Sequence, residues 1–506
     1  MANKIRLLST SDVHGTIYPY SYADHSPQDY GLAKISTLVT ALRDENTLLI
    51  DNGDILEGSP LTFYHYRQKA QEISPPTIAL KDIGYDYVNL GNHDFNHGEE
   101  ALLRHLDNCG AQCLCANVLY KGQFLGPEYV VHELCSKKIA LFGITSHYVP
   151  HWENPDNITD MTFIDAYTCA ENLVRKIKDE ADPDYIICIY HGGFEKDPVS
   201  GMPSEKDTGE NQGYRIAENL QDIDILIAGH QHRICSGKLF NTTYSQPGTN
   251  GAYLSCFEID TDKDQIEVNL YRAEYNADQK IMDHCRQEED EVQAWLDVPL
   301  GSTSMDLLVN DELDARLHKS QLATFINIAQ SYVSGADLSA TALSYQATGL
   351  PKEITMRSVV TTYIFSNTLT VKKINGKILK QYLEKCAEFW DISDGKIVID
   401  SRYSTPFPLY HNYDMVDGIK YVIKVSNPCG SRIISMTKDG RQIAEDDEFT
   451  IVVNSYRAGG SGGFEMIRDA ETIKEIQLNM MEILADYIEE TGVIDFDEIH
   501  NIQVII

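Results

Sequence analysis

Positive charge is scarce in this sequence: 42 lysines and arginines stand against 76 aspartates and glutamates, for a formal net charge of −34. An acidic surface of that kind stays soluble and repels polyanions at long range, which argues against duplex nucleic acid and anionic membrane as partners. Long hydrophobic runs are missing as well, so no stretch reads as a bilayer-spanning helix. Met1 to Leu8 has no apolar segment or small-residue cleavage site and leads straight into a polar motif, so a cytoplasmic location is expected. Eleven cysteines, an odd number scattered over the chain, make no disulfide framework and suit a reducing compartment. Cys109, Cys113 and Cys115 lack a fourth ligand, and the expected reading is buried strand cysteines packing as small hydrophobes. Repeats and low-complexity segments are absent.

What remains is an ordinary globular composition, 42% hydrophobic and 23% charged, in a chain long enough for roughly two to four domains. Its first half alternates short apolar strands with helical periodicity around Leu32–Leu42, Ile78–Ile83 and Glu99–Leu106, the pattern of layered α/β folds. Five strand ends carry polar residues beside glycine. Lys4–Ser9 leads to Asp12-Val13-His14-Gly15, with its carboxylate and imidazole expected on one side of an extended segment. Thr47–Asp51 leads to Gly53-Asp54, and Tyr85–Leu90 to Gly91-Asn92-His93-Asp94-Phe95-Asn96. Tyr185–Ile189 leads to Tyr190-His191-Gly192-Gly193, and Ile223–Ala228 to Gly229-His230-Gln231-His232. Open α/β sheets gather ligands at the carboxyl ends of their strands, so these side chains are expected to share one cleft. Ser146-His147-Tyr148 also follows a strand but has no glycine neighbour, and His147 reads as structural or as a support to the site.

This ordered set resembles the calcineurin-like metallophosphoesterase superfamily, whose pattern runs Asp-x-His, Gly-Asp, Gly-Asn-His-Asp/Glu, a lone His before glycine, and Gly-His-x-His. The resemblance implies a four-layer α/β/β/α sandwich holding two divalent metal ions. One ion takes Asp12, His14, Asp54 and His232, and the other takes Asp54, Asn92, His191 and His230, with Asp54 bridging. Mixed carboxylate, imidazole and amide donors suit Mn, Zn, Co or Fe. Two such ions about 3.5–4 Å apart activate water and clamp phosphoryl oxygens, so no protein nucleophile is needed. His93, beside a ligand but outside the ligand set, is placed to donate a proton or hydrogen bond to the developing charge; the alternative is a purely structural imidazole. Asp94 is expected to steady the loop.

After Tyr275 an acidic stretch with Ile281, Cys285, Val292, Trp295 and Leu296 near helical spacing predicts a linking helix over 276–298, closed by Pro299 and Gly301. A second, mixed α+β domain is expected over 299–506, following a first domain over 1–275. It has no metal-type cluster and reads as a binding domain. Its glycine run Gly459-Gly460-Ser461-Gly462-Gly463 has no Gly-Lys-Ser/Thr ending and is no phosphate loop. Tyr413 and Tyr456 sit in segments that either sandwich a nucleobase or simply pack into the core.

Phe325-Ile326-Asn327-Ile328-Ala329-Gln330, Ser366-Asn367-Thr368-Leu369 and Tyr456-Arg457-Ala458-Gly459-Gly460 resemble the C-terminal domain of the 5′-nucleotidase family. The likeness is greatest to its 2′,3′-cyclic-nucleotide 2′-phosphodiesterase/3′-nucleotidase branch. That resemblance implies base stacking by Tyr413 and Tyr456 and substrate contacts from Asn367 and Arg457, with the base on the second domain and the phosphate on the first. The 5′-nucleotidase pattern places an Asp where this chain has Asn96, and the amide matches the cyclic branch. The arginine-bearing Asn-Gly-Gly loop of 5′-nucleotidases is not recognisable around Leu343–Pro351, and Asp94 replaces the commoner Glu. The expected function is metal-dependent hydrolysis of 2′,3′-cyclic nucleotides and nucleoside monophosphates. The alternatives are a 5′-nucleotidase or nucleotide-sugar hydrolase and, from another class, a non-catalytic nucleotide-binding regulator.

Overall fold

Alternation of apolar side chains with a period of two puts Ile5, Leu7, Leu48, Ile50, Ile187, Ile189, Ile225 and Ile227 in one cluster, the layer between two facing sheets. The intervening residues Ala140, Phe142, Ile144, Ile186, Cys188 and Tyr190 pack in a second cluster with Ala170, Leu173, Val174 and Ile177 from helix Ala166–Ala181. Both faces of the central strands are therefore covered, and strand Tyr185–His191 is buried at every residue. The computed structural model that shows this describes residues 4–203, 208–345, 347–363, 367–404 and 408–506. It separates into two compact units, Met1–Ser21 with His25–Val292, and Tyr22–Asp24 with Gln293–Ile506.

The first unit is an α/β/β/α sandwich of two six-stranded sheets. Its strands are β1 (Lys4–Thr10), β2 (Thr47–Asp51), β3 (Tyr87–Val88), β4 (Gln112–Cys113), β5 (Val130–Leu134) and β6 (Lys137–Thr145), then β7 (Tyr185–His191), β8 (Ile225–Ala228), β9 (Ile234–Leu239), β10 (Thr242–Pro247), β11 (Tyr253–Asp260) and β12 (Gln265–Arg272). One sheet runs β12-β11-β1-β2-β3-β4 and the other β9-β10-β8-β7-β6-β5. Strands β1, β2 and β3 are parallel, as are β6, β7 and β8, so in each sheet the chain leaves these strands on one edge. The three cysteines 109, 113 and 115 are free and buried, with Cys109 bonded to backbone carbonyls and Cys115 to Asn117 Oδ1, as packing residues rather than metal ligands.

The acidic stretch after Tyr275 forms helix Gln279–Leu296, with Ile281, Cys285, Val292 and Leu296 on its buried side. In the second unit a five-stranded sheet orders Met415–Asp417, Leu338–Thr341, Glu448–Asn454, Leu369–Asn375 and Glu471–Ile476, with helix Gln321–Ser334 packed on it. Val359 lies in helix Met356–Thr362, opened by a capping box from Thr355 and Ser358. Ile364, Phe365 and Ser366, part of the apolar and Ser-Asn-Thr-Leu segments of the sequence reading, lie outside the described residues. No helix among the described residues is long and apolar enough to cross a membrane.

Candidate active site and metal centre

Five of the eight motif residues sit in the left-handed region of backbone space: Asp12 (φ 54°), His14 (51°), Asp54 (58°), His230 (69°) and His232 (55°). That conformation costs a non-glycine residue about 1 kcal/mol or more, and such strain gathers where side chains must converge. It also corrects one expectation. Asp12 and His14 share a side because both residues turn left-handed after β1 ends, not because they alternate along an extended segment. Glycine permits the loops to meet: a Cβ on Gly91 would lie 2.1 Å from Asp54 Oδ1, and one on Gly229 would lie 2.2 Å from Ser11 Oγ.

The side chains converge into two groups with Asp54 in common. Asp12, His14, Asp54 and His232 have ligand atoms within 4.8 Å of one another, and so do Asp54, His191 and His230. Asn92 Oδ1 lies 2.7 Å from His230 Nδ1, completing the set of eight less His93. Two imidazoles have their tautomers set by backbone: His14 Nδ1 donates to the Glu57 carbonyl at 2.7 Å, and His191 Nδ1 donates to the Asn52 carbonyl at 2.6 Å. Each then offers a lone pair at Nε2, the usual preparation of a metal-binding histidine. His14 Nε2 stands 2.9 Å from His232 Nε2. His191 Nε2 is buried 3.2 Å from Asp54 and 3.9 Å from Asp12, yet makes no hydrogen bond. A buried nitrogen left without a proton partner beside two carboxylates is what a cation would satisfy, so these donors fit two divalent ions sharing Asp54.

Electrostatics point the same way. Burial alone would raise the Asp54 carboxyl, but His191, His93 and His14 hold it well below the ordinary value, and Asp12 is lowered by His191 and His232 against its own burial. Burial, then His232, brings His14 down to about 4, so it is neutral and ready to donate its lone pair. His191 resists burial and is carried up to about 10 by Asp54 and Asp12. The pocket therefore calls for positive charge, which a metal ion held by these residues would supply in place of the proton on His191.

Around this cluster lie further carboxylates, of which sequence patterning singles out only Asp94. Asp94 accepts the backbone N–H groups of Gly91, Asp54, Ile55 and Leu56, tying the β2 and β3 loops together, which is the steadying work expected of it. Glu210 lies 2.7 Å from His230 Nε2, and Glu57 2.6 Å from His97 Nε2. His93 lies beside His14, ring centroids 5.4 Å apart, and its Nδ1 is 2.7 Å from Asn96 Oδ1. Asn96 Nδ2 in turn donates to Glu153 Oε2 at 2.7 Å. His147 joins neither ligand group and lies 3.6 Å from Asp165. The only signal for Glu210 was its place in the loop between two histidine-bearing strand ends.

In the second unit two of the residues expected to contact substrate lie in the core. Tyr413 is fully buried, its ring stacked on Phe389 at 4.9 Å and edge-on to Trp390, so both of its neighbours are core aromatics rather than a free slot for a base. Arg457 is 2% exposed and pairs with Asp414 through Nε and an amino nitrogen at 2.6 and 3.1 Å, while its plane covers Phe464 at 3.8 Å. Tyr456, in contrast, is 40% exposed and meets the edge of His411 and the neighbouring guanidinium, and Asn367 accepts the Met480 N–H with its carbonyl at 2.9 Å. Arg316 is an unforeseen occupant of the segment that lacks the Asn-Gly-Gly loop, donating to the carbonyls of Leu343 and Ser344.

Arg457→Met strands the Asp414 carboxylate in the core, at a cost of about 3–5 kcal/mol. The expected result is a fall in melting temperature of about 10 °C, read by calorimetry. A substrate-binding Arg457 would instead raise KM and leave the melting temperature in place.

A model of the calcineurin-like phosphoesterases matches residues 5–233, and one of the 5′-nucleotidase C-terminal domain matches residues 299–469. A candidate 5′-nucleotidase from Staphylococcus aureus, solved in complex with alpha-ketoglutarate, is 31% identical over 99% of each chain with a TM-score of 0.77. The 2′,3′-cyclic-nucleotide 2′-phosphodiesterase/3′-nucleotidase of Yersinia enterocolitica is 26% identical over 90% of this chain and 80% of its own. The trifunctional nucleotide phosphoesterase protein YfkN of Bacillus subtilis is 24% identical over 96% of this chain, which spans only 38% of that protein's length. The chain therefore belongs to the 5′-nucleotidase family, with a calcineurin-like phosphoesterase domain as its N-terminal part.

Proposed function

We propose that this phosphoric ester hydrolase opens 2′,3′-cyclic nucleotides and removes phosphate from nucleoside monophosphates. The observation that carries the reading is the pair of ligand groups sharing Asp54, since a site for two divalent ions favours in-line displacement at phosphorus. Bound ions there supply water activation and neutralisation of phosphoryl charge. The chain's own residues do the rest. Asp12, His14, Asp54, Asn92, His191, His230 and His232 hold the ions, and His93 presents Nε2 to the ester, because Nδ1 is engaged by Asn96. Of the two tyrosines expected to stack on a base, Tyr456 is the exposed one and offers a ring face for it.

Asn96 and the likeness to the Yersinia enterocolitica enzyme favour the cyclic branch. The likeness to the Staphylococcus aureus protein favours a second reading, a 5′-nucleotidase. A panel of 2′,3′-cyclic AMP, 3′-AMP and 5′-AMP distinguishes them, with Mn²⁺ restored after chelation and excess phosphatase added to detect ring opening. Metal-dependent opening of the cyclic substrate together with cleavage of 3′-AMP is the expected result. Turnover of 5′-AMP alone gives the second reading. Silence on all three with metal fully loaded turns the reading to other phosphoesters, nucleotide sugars among them, or to a nucleotide-binding regulator.

A further inference from the structure

Glu153 lies 57 residues from Asn96 in sequence, at the end of the short helix Val149–Trp152, and only 8% of it is exposed. Its carboxylate is held by amides rather than by a lysine or arginine. Oε2 accepts from Asn96 Nδ2 at 2.7 Å, and Oε1 accepts from the Asn154 N–H at 2.7 Å and from Asn157 Nδ2 at 2.8 Å. Asn157 Nδ2 also donates to the Asn96 carbonyl at 2.8 Å, so the same cluster pins both the backbone and the side chain of Asn96. A buried carboxylate so thoroughly occupied has a specific geometry to maintain.

We infer that Glu153 is the positioning residue for His93, acting through the Asn96 amide to fix which nitrogen of the imidazole faces the ester. The inference rests on the hydrolase reading above and deepens it. Glu153 is the acceptor in all three of these hydrogen bonds, so it turns the Asn96 NH₂ outward and the amide oxygen toward the imidazole. That oxygen also only accepts, so His93 must carry a proton on Nδ1. Nε2 becomes the nitrogen left for the substrate, and a second proton, when His93 holds one, sits there and can pass to the departing oxygen. A carboxylate in place of the Asn96 amide would set the same tautomer directly. An amide has two possible orientations, and the carboxylate one residue further out chooses between them.

The donor and acceptor pattern makes an exchange test possible. Asn96→Asp alone sets two carboxylates against each other, and Glu153→Gln alone sets an NH₂ either against that of Asn96 or against the donors from Asn154 and Asn157. The double variant is complementary again: the introduced aspartate accepts from His93 and from the new glutamine NH₂, and the glutamine oxygen keeps Asn154 and Asn157. Each single variant and Glu153→Ala are expected to lower kcat about 10- to 100-fold on whichever nucleoside monophosphate the wild type cleaves, with KM changed less than about threefold. With 4-nitrophenyl phosphate, whose phenolate leaves without a proton, the loss is expected to be at most about threefold. The double variant is expected to recover most of the lost kcat.

An independent readout needs no turnover. In chelated protein labelled with ¹⁵N-histidine, the signal lost in His93→Gln identifies His93, which is expected as the Nδ1–H tautomer in the wild type and as a tautomer mixture in Glu153→Ala. An unchanged tautomer in Glu153→Ala overturns the inference. So does an equal loss on both classes of leaving group, or a double variant no better than the worse single one. If the wild type cleaves no phosphoester, the hydrolase reading fails, and the tautomer measurement still decides the relay.

Discussion

Asp54→Asn is expected to abolish turnover, lowering kcat by about 10³-fold or more, and to reduce tightly bound metal from two ions per chain to one at most. Asparagine is the replacement of choice because it tolerates the left-handed backbone that Asp54 adopts at φ 58°, so the loss reads the carboxylate and not a refolded loop. Asp54 belongs to both ligand groups, and His191 lies 3.2 Å from it. A neutral amide offers one oxygen and no charge, so it can serve one ion but not join two. The loss of carboxylate charge also weakens the attraction that favours a cation over neutral imidazoles. Metal analysis after gel filtration, alongside kcat with excess Mn²⁺, checks both halves of the prediction. Retention of two ions with activity within about tenfold of wild type would refute the bridging role.

The second large effect separates chemistry from metal binding. His93→Gln is expected to keep two ions, because His93 belongs to neither ligand group, and to lower kcat by about 10²–10⁴-fold on nucleotides. The loss should grow with the basicity of the leaving oxygen and nearly vanish for 4-nitrophenyl phosphate, since a ribose alkoxide needs a proton and a nitrophenolate does not. The Brønsted slope for the leaving group, measured across substituted phenyl phosphates, should steepen in the variant. A uniform loss with an unchanged slope would assign His93 to binding or to support of its neighbours. The loss of metal would point to a collapse of the loop that Asp94 ties through Gly91, Asp54, Ile55 and Leu56.

How legible a residue was depended on whether its neighbours in sequence are also its neighbours in space. Asp12, His14, Asp54, Asn92, His191 and His230 each follow an apolar strand within a few residues, and parallel strands necessarily deliver such ends to one edge. The glycines among them announce close approach, which Gly91 and Gly229 bear out at the level of single atoms. Glu153, Glu210 and Glu57 carry no such marker. They are ordinary acidic residues in a chain with 76 of them, and their roles come from loops whose paths are set by packing far along the chain. Tyr413 and Arg457 show the reverse: both stand in motifs with chemical promise, and both are consumed by the core, one by Phe389 and Trp390 and the other by Asp414.

The amino-acid sequence by itself determined the alternation of strands and helices, the sandwich built from them, and the identity of the residues that end the strands, because periodicity and glycine spacing are local properties that any folded form must honour. Only the tertiary structure decided that Tyr456 stays exposed while Tyr413 is buried, which carboxylates stand behind the imidazoles, and which way the Asn96 amide faces. Burial and hydrogen-bond direction depend on partners tens or hundreds of residues away, and no local pattern encodes them.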